Sequence, residues 1–322
     1  MSLLADLLAL AALDAPPGRE DAVRDAVRRA AEAHGFSART DALGNLIVGP
    51  DEPRLAVFVP LDEIGFVVHA QGEGGFWRVA PLGPVAARVA AYQPVRFLDG
   101  GHALLVPEAD APEALRWEHL LADATSPLTL AAWGVWDTAP RMTHDGALGK
   151  AVASRALVAI ALQLWEVLSL PDEVTFVFAA RTWTPGHGEG PAAYGLRPRQ
   201  MLRLRPAPTQ DRPPRRPGGL TLGSGPGLAL RDENRLADAR LLAWMEDLAR
   251  EAELPWQAFV PTERTWVWTS APRVAEGVPT LTVVLPTRYL TSPYERIMTS
   301  DAEALLAWLK AALTAVARAP YS

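Results

Sequence analysis

The chain has 322 residues, 49% of them hydrophobic and 21% charged, with a formal net charge of −6 at pH 7 and no cysteine. That composition excludes disorder, a collagen-like repeat and a coiled coil, and the missing cysteine excludes disulfides, thiolate metal sites and a cysteine nucleophile. A mildly acidic balance argues against nucleic acid as a partner, because phosphate neutralisation needs a basic face.

The N-terminal stretch MSLLADLLALAALDAP is apolar but punctuated by Asp6 and Asp14, with no basic region before it. It reads as an amphipathic helix rather than a signal peptide. No run approaches the roughly 18 apolar residues of a membrane span, so a cytoplasmic protein with no membrane partner is expected. A second helix carries Ala22, Val23, Ala26, Val27 and Ala30 at helical spacing. Pro16-Pro17-Gly18 separates the two helices, and Gly35 ends the second. Short β-type runs follow at Asn45–Val48, Leu55–Pro60 and Ile64–His69; LAVFVP at 55–60 is apolar enough for a strand buried on both faces.

Between 72 and 146 the texture changes to short apolar runs separated by Gly, Pro and Asp: Phe76–Val79, Val85–Val89, Val95–Leu98, Ala103–Val106 and Leu128–Val135. Closely spaced strands with turn signals predict a small inserted β-domain. A helix over Ala147–Leu168, a strand over Val174–Ala180, a Gly-rich loop and a strand over Met201–Arg205 come next. The Pro/Arg-rich segment 205–219 reads as a connection. Helices over Asn234–Ala252 and Ser300–Ala317 flank a strand at Pro279–Leu285, the second helix opened by a Ser300/Glu303 capping box. Alternating helices and buried strands imply a doubly wound α/β fold, a mixed sheet with helices on both faces. The expected organisation is an α/β domain of residues 1–71 and 147–322 with a β-barrel-like domain of residues 72–146 inserted.

Generic catalytic motifs are missing. Gly146–Ala151 has the wrong spacing for a phosphate loop, Gly223-Ser224-Gly225 lacks the frame of a nucleophile elbow, and the six histidines form no H-E-x-x-H pattern. A broader pattern does cover most of the chain. Arg39–Ile47 (RTDALGNLI), Asp62-Glu-Ile-Gly65, Gly149-Lys150-Ala151, Phe176-Val-Phe178, Gly277-Val-Pro-Thr280 and Pro286–Pro293 (PTRYLTSP) stand in collinear order over about 250 residues. In this order the chain resembles the tetrahedral (TET) aminopeptidases, which include glutamyl aminopeptidases and proteins labelled endoglucanases. The resemblance implies a zinc-exopeptidase-like fold. It also implies large homo-oligomers and hydrolysis of N-terminal residues with two divalent metals, zinc or cobalt. Such chemistry needs terminal histidines and carboxylates, a bridging carboxylate and a general-base glutamate.

Position by position, the motif's ligands are replaced. Pro60 stands for the histidine before D-E-I-G. Ala153 and Ser154 fill the two aspartate slots of G-K-A-L-D-D-R, Thr182 and Trp183 the Glu-Glu pair after F-V-F, Arg205 the aspartate ending the next strand, and Thr291 the histidine of P-T-R-Y-x-H-S-P. Thr265-Trp-Val-Trp268 replaces the turn before G-V-P-T. Proline and alanine offer no lone pair, and a guanidinium repels a cation. The expectation is therefore no metal cofactor and no catalytic residue.

Asp62 and Glu63 survive, read as a strand-end polar pair bonded to backbone. The 185–190 loop (PGHGEG) with His187 and Glu189 is weighed as a relocated metal or anion site against a flexible solvated loop. Trp183, Trp266 and Trp268 either pack the vacated pocket shut or line a retained cleft for a peptide or small molecule, with Arg181 and Arg205 placed to hold a carboxylate. The leading reading is an inactive family member with a binding or assembly role. A hydrolase with a moved site, and a structural subunit co-assembling with an active paralogue, stand as alternatives.

Overall fold

The computed structural model describes residues 2–321 except 169–171, 185–186, 215–217, 233–234 and 262–270. Two N-terminal helices come first, α1 (Leu3–Ala11) and α2 (Asp21–Ala33). The Ser2 hydroxyl caps α1 by accepting from the Ala5 N–H, and Val23, Val27 and Ala31, four apart, form the buried stripe of α2. Strands β1 (Ala38–Thr40), β2 (Leu46–Val48) and β3 (Leu55–Pro60) follow. The chain then enters a barrel made of β4 (Gly65–Gln71), β5 (Trp77–Leu82), β6 (Pro94–Phe97), β7 (His102–Pro107), β8 (Leu120–Ala124) and β9 (Trp133–Trp136), with a one-turn helix α3 (Ala87–Ala90) between β5 and β6. The barrel closes in the order β4-β5-β8-β7-β6-β9. Alternation along β7, with Ala103 and Leu105 buried and His102 and Leu104 exposed, is the period-two signature of a barrel wall.

Strands β10 (Arg141–Met142) and β11 (Gly146–Gly149) lead back to the long helix α4 (Val152–Val167). Then come β12 (Val174–Ala179), α5 (Glu189–Leu196), β13 (Met201–Pro208) and β14 (Gly227–Ala229), the short pair β15 (Arg231–Asp232) and β16 (Arg235–Leu236), and α6 (Ala239–Glu251). The chain ends with β17 (Gln257–Phe259), β18 (Thr280–Thr287), β19 (Glu295–Met298) and α7 (Thr299–Thr314). The main sheet runs β1-β2-β12-β3-β13-β18-β14-β17. Its centre, β12-β3-β13-β18, is parallel and its flanks contain antiparallel pairs.

One face of the sheet packs Val57, Phe176, Leu202 and Val283 against α1, α2, α4, α6 and α7. The other packs Phe58, Val177 and Met201 against Ala192, Ala193 and Leu196 of α5. Both faces are thus covered, and the α/β fold with its mixed sheet and closed six-stranded barrel is the architecture expected. A small sheet β10-β11-β19 joins the strand leaving the barrel region to the segment before α7. Among the described residues no helix is long and apolar enough to cross a membrane.

Several boundaries differ from expectation. Residues 147–149 are strand, because β11 pairs with β19, and the helix begins at Val152. Val85–Val89 gives not a strand but the turn of helix α3, and only Trp133–Trp136 of the 128–135 run is strand. Helix α6 starts at Ala239, with the Asp238 carboxylate accepting from the Arg240 and Leu241 N–H groups. Helix α7 starts at Thr299 without a side-chain cap, so Ser300 and Glu303 lie inside it and form no capping box.

Candidate functional site

The carboxyl ends of β12, β3, β13 and β18 open toward one region, next to the barrel and the start of α4. In open α/β sheets this end of the strands is where ligands bind. Pro60 ends β3 in register with Ala179 of β12, and the next residues enter the link to the barrel.

Asp62 is fully buried. Its carboxylate accepts from the Thr182 hydroxyl (2.6 Å) and the Trp183 backbone N–H (2.9 Å). Burial, helped by the charge of Glu20, pushes its pKa up to about 7, against the pull of those two donors and of Arg205. The Arg205 guanidinium lies 4.9 Å from the centroid of the Trp183 ring and donates to the Thr182 carbonyl at 3.4 Å. Both Arg205 and Trp183 are only 3% exposed, so a cation–π stack joins the segment after β12 to β13 at the level where β3 ends. The indole also packs into the barrel core with Ile64, Phe66 and Val85.

Glu63, 2% exposed, belongs to a second cluster. Its carboxylate accepts from Lys150 Nζ at 2.9 and 3.0 Å, from Arg155 at 3.1 Å and from the Ala15 N–H at 2.9 Å. Lys150 also reaches Asp14 at 3.0 Å, and Asp14 in turn pairs with Arg96 on barrel strand β6. The partners expected for Glu63 were backbone groups; buried ion pairs dominate instead. A third cluster surrounds Glu295, whose two oxygens accept from the Ala153 N–H (3.3 Å) and the Thr291 N–H (3.2 Å). Burial raises this carboxyl to about 7. Thr291 is held at φ +70°, a left-handed conformation unusual for a β-branched residue, and its carbonyl accepts from Trp136 Nε1 at 3.3 Å.

The remaining candidates scatter. Arg181 is half-buried and its backbone N–H donates to Glu20 at 2.9 Å. His187 is exposed. Glu189 is 5% exposed, sits at the first turn of α5 and takes a two-pronged hydrogen bond from Arg203 at 2.9 and 3.2 Å. The stretch expected as a solvated loop is therefore partly helix, with its carboxylate anchored to β13. Ser154 is buried in α4. Trp266 and Trp268 lie outside the described residues. Sequence reading missed Glu20, Lys150, Arg155, Arg203 and Glu295, all of them buried. Lys150 and Arg155 stood inside the quoted G-K-A motif and its continuation, which was the available signal.

A dinuclear metal centre does not fit these residues. The positions at which the resemblance expects ligands hold Pro60, Ala153, Ser154, Thr182, Trp183, Arg205 and Thr291. The two surviving carboxylates are committed, Asp62 to Thr182 and Trp183 and Glu63 to two cations. Among the described residues no three His, Asp or Glu side chains gather as a metal cage. Arg205, standing where the resemblance expects a ligand aspartate, would also repel a divalent ion.

The family model for M42 glutamyl aminopeptidases matches residues 123–307. An aminopeptidase from the archaeon Desulfurococcus kamchatkensis superposes with a TM-score of 0.89 at 23% identity, covering 99% of this chain and 98% of that one. A TET aminopeptidase from a marine-sediment archaeon of the Thaumarchaeota gives 0.87 at 19% identity, covering 97% and 95%. The Pyrococcus horikoshii TET1 peptidase, described as assembling into a tetrahedron or a large octahedral shell, gives 0.81 at 20% identity, covering 96% and 98%.

Proposed function

This chain belongs to the M42 glutamyl aminopeptidase family, and from that premise we propose that it is a family member without peptidase activity, whose role is binding or assembly. The observation that carries this reading is the Arg205–Trp183 stack, buried at the strand ends where the resemblance puts a metal-binding aspartate and the Glu-Glu pair. A peptide cannot be hydrolysed by the two-metal route without a caged pair of ions to polarise its carbonyl and activate water. The Asp62 and Glu63 carboxylates are occupied by their own neighbours, so neither is free to serve as base. A site moved to the 187–189 segment is disfavoured by the same logic, because Glu189 is held by Arg203 and His187 stands exposed without it.

We assign the assembly part of the role to a homo-oligomer, by analogy with the shells described for the P. horikoshii relative, with an active paralogue as the alternative partner. Residence in the cytoplasm is part of the same proposal. A cleft ligand would be a peptide or small molecule, and no nucleic acid is proposed. The test is release of amino acids from a panel of short peptides with purified protein supplied with zinc, cobalt or manganese. The reading expects no release above the metal-only control. Chelator-sensitive release that scales with protein concentration would overturn it.

A further inference from the structure

Three backbone N–H groups of the segment leaving β12 are held by side chains from elsewhere. The Ala180 N–H donates to the Asn45 side-chain oxygen at 2.8 Å, the Arg181 N–H to Glu20 at 2.9 Å and the Trp183 N–H to Asp62 at 2.9 Å. Arg181 is at φ +55°, a conformation that persists only when its surroundings impose it. The same segment carries the indole of Trp183 into the barrel core. Whatever holds residues 180–183 therefore also holds the barrel against the sheet.

The two carboxyl groups doing the holding are both buried, Asp62 at 0% and Glu20 at 2% exposure, and the Glu20 charge acts on Asp62. Glu20 also accepts from the Gly18 N–H at 2.6 Å. The charges acting on Asp62 are Glu20, from the turn before α2, and Arg205, from β13; its direct donors are Thr182 and Trp183. Arg205 grips Trp183 and Thr182 as well, so all three polar anchors meet on one short segment.

We infer that Asp62, under the charge of Glu20, forms a proton-dependent latch, which grips the 181–183 segment, and through Trp183 the barrel, more tightly as the solution becomes more acidic. When the segment opens, Asp62 meets water and returns toward an ordinary carboxylate, so the open form binds fewer protons than the closed form across mildly acidic pH. Opening is then favoured as pH rises, until Asp62 is ionised in both forms. Raising the pH ionises a buried acid beside another carboxylate, and lowering it removes that repulsion. The device needs no ligand and does not depend on whether the chain hydrolyses peptides.

Amide hydrogen exchange of residues 181–183 in the full chain, from pH 5 to 8.5 and normalised for intrinsic rates, tests the latch. Protection should fall about ten-fold per pH unit, the slope of one-proton linkage, and level off near pH 7. Asp62→Asn cannot ionise and should flatten the profile. Glu20→Gln, which serves if the first variant does not fold, should bring the plateau to lower pH. Glu295→Gln, in a separate cluster, should leave the wild-type profile of this segment in place. A flat wild-type profile, a persisting slope in Asp62→Asn or an unmoved plateau in Glu20→Gln would each overturn the inference.

Discussion

Glu63 balances two buried cations, Lys150 and Arg155. Removing one partner of such a group leaves charge stranded away from water, which costs more than the group's net contribution when intact. Glu63→Gln keeps an acceptor for the Ala15 N–H but abolishes the negative charge. Asp14 still accepts from Lys150, so the loss falls mainly on Arg155, whose other hydrogen bond in this cluster goes to the Leu61 carbonyl. The variant should lose about 3–5 kcal/mol of unfolding free energy, read from urea titration. Thr291 presents the opposite case. Its φ of +70° is strained for a β-branched side chain, and glycine relieves that strain at the cost of extra freedom in the unfolded chain. Thr291→Gly should stabilise by about 0.5–1 kcal/mol in the same titration. A destabilised variant would mean that the buried threonine side chain outweighs the backbone.

At the scale of elements, Trp183 and α5 show how tertiary contacts decide what local sequence leaves open. Trp183 fills the junction between the β12 end and the barrel core, yet its indole Nε1 is buried without a hydrogen-bond acceptor. Trp183→Ala should cost about 3–5 kcal/mol through the cavity left behind. Trp183→Phe keeps most of the volume and removes the unsatisfied donor, and should cost under about 1.5 kcal/mol; thermal unfolding of both variants checks the difference. Helix α5 was unreadable from sequence for a related reason. Gly188, Gly190, Pro191 and Gly195 lower its helix propensity, and the contact that fixes it, Glu189 with Arg203, joins residues on different elements. β11 was likewise hidden, since the strand pairing of Gly146–Gly149 with β19 involves partners about 150 residues apart. The buried strands β3, β12 and β18 were legible because near-continuous apolar runs in short segments have few alternatives to a covered sheet. The charged groups that took over the interior were not, because a buried ion pair leaves no periodic trace in sequence.

Across the whole molecule, opposing carboxyl groups shape the response to pH. Asp62 and Glu295 are raised to about 7 by burial. Each costs stability as pH rises from the ordinary carboxylate range toward 7, because the unfolded chain gives up its proton first. Asp211 behaves in the other direction: despite its burial, hydrogen bonds from Arg288 and the Leu222 N–H hold it at about 2, so its contribution is present above about 4 and lost in acid. Stability should therefore peak on the acid side of neutrality. Thermal midpoints measured from pH 4 to 8 should fall between 5 and 7 for the wild type and fall less steeply for Glu295→Gln, whatever that variant's absolute midpoint. Parallel slopes would show that Glu295 ionises normally in the folded protein.

On the proposed reading, this M42-family chain keeps a packed cation–π stack and committed ion pairs where a metal cage is expected. The most direct test is zinc titration of the purified chain by calorimetry, with metal content measured after exhaustive dialysis against metal-free buffer. No saturable heat is expected in the micromolar range, with well under one equivalent of zinc retained per chain. Two tightly bound equivalents, lost when Asp62 and Glu63 are replaced by alanine in a variant that still folds, would contradict it.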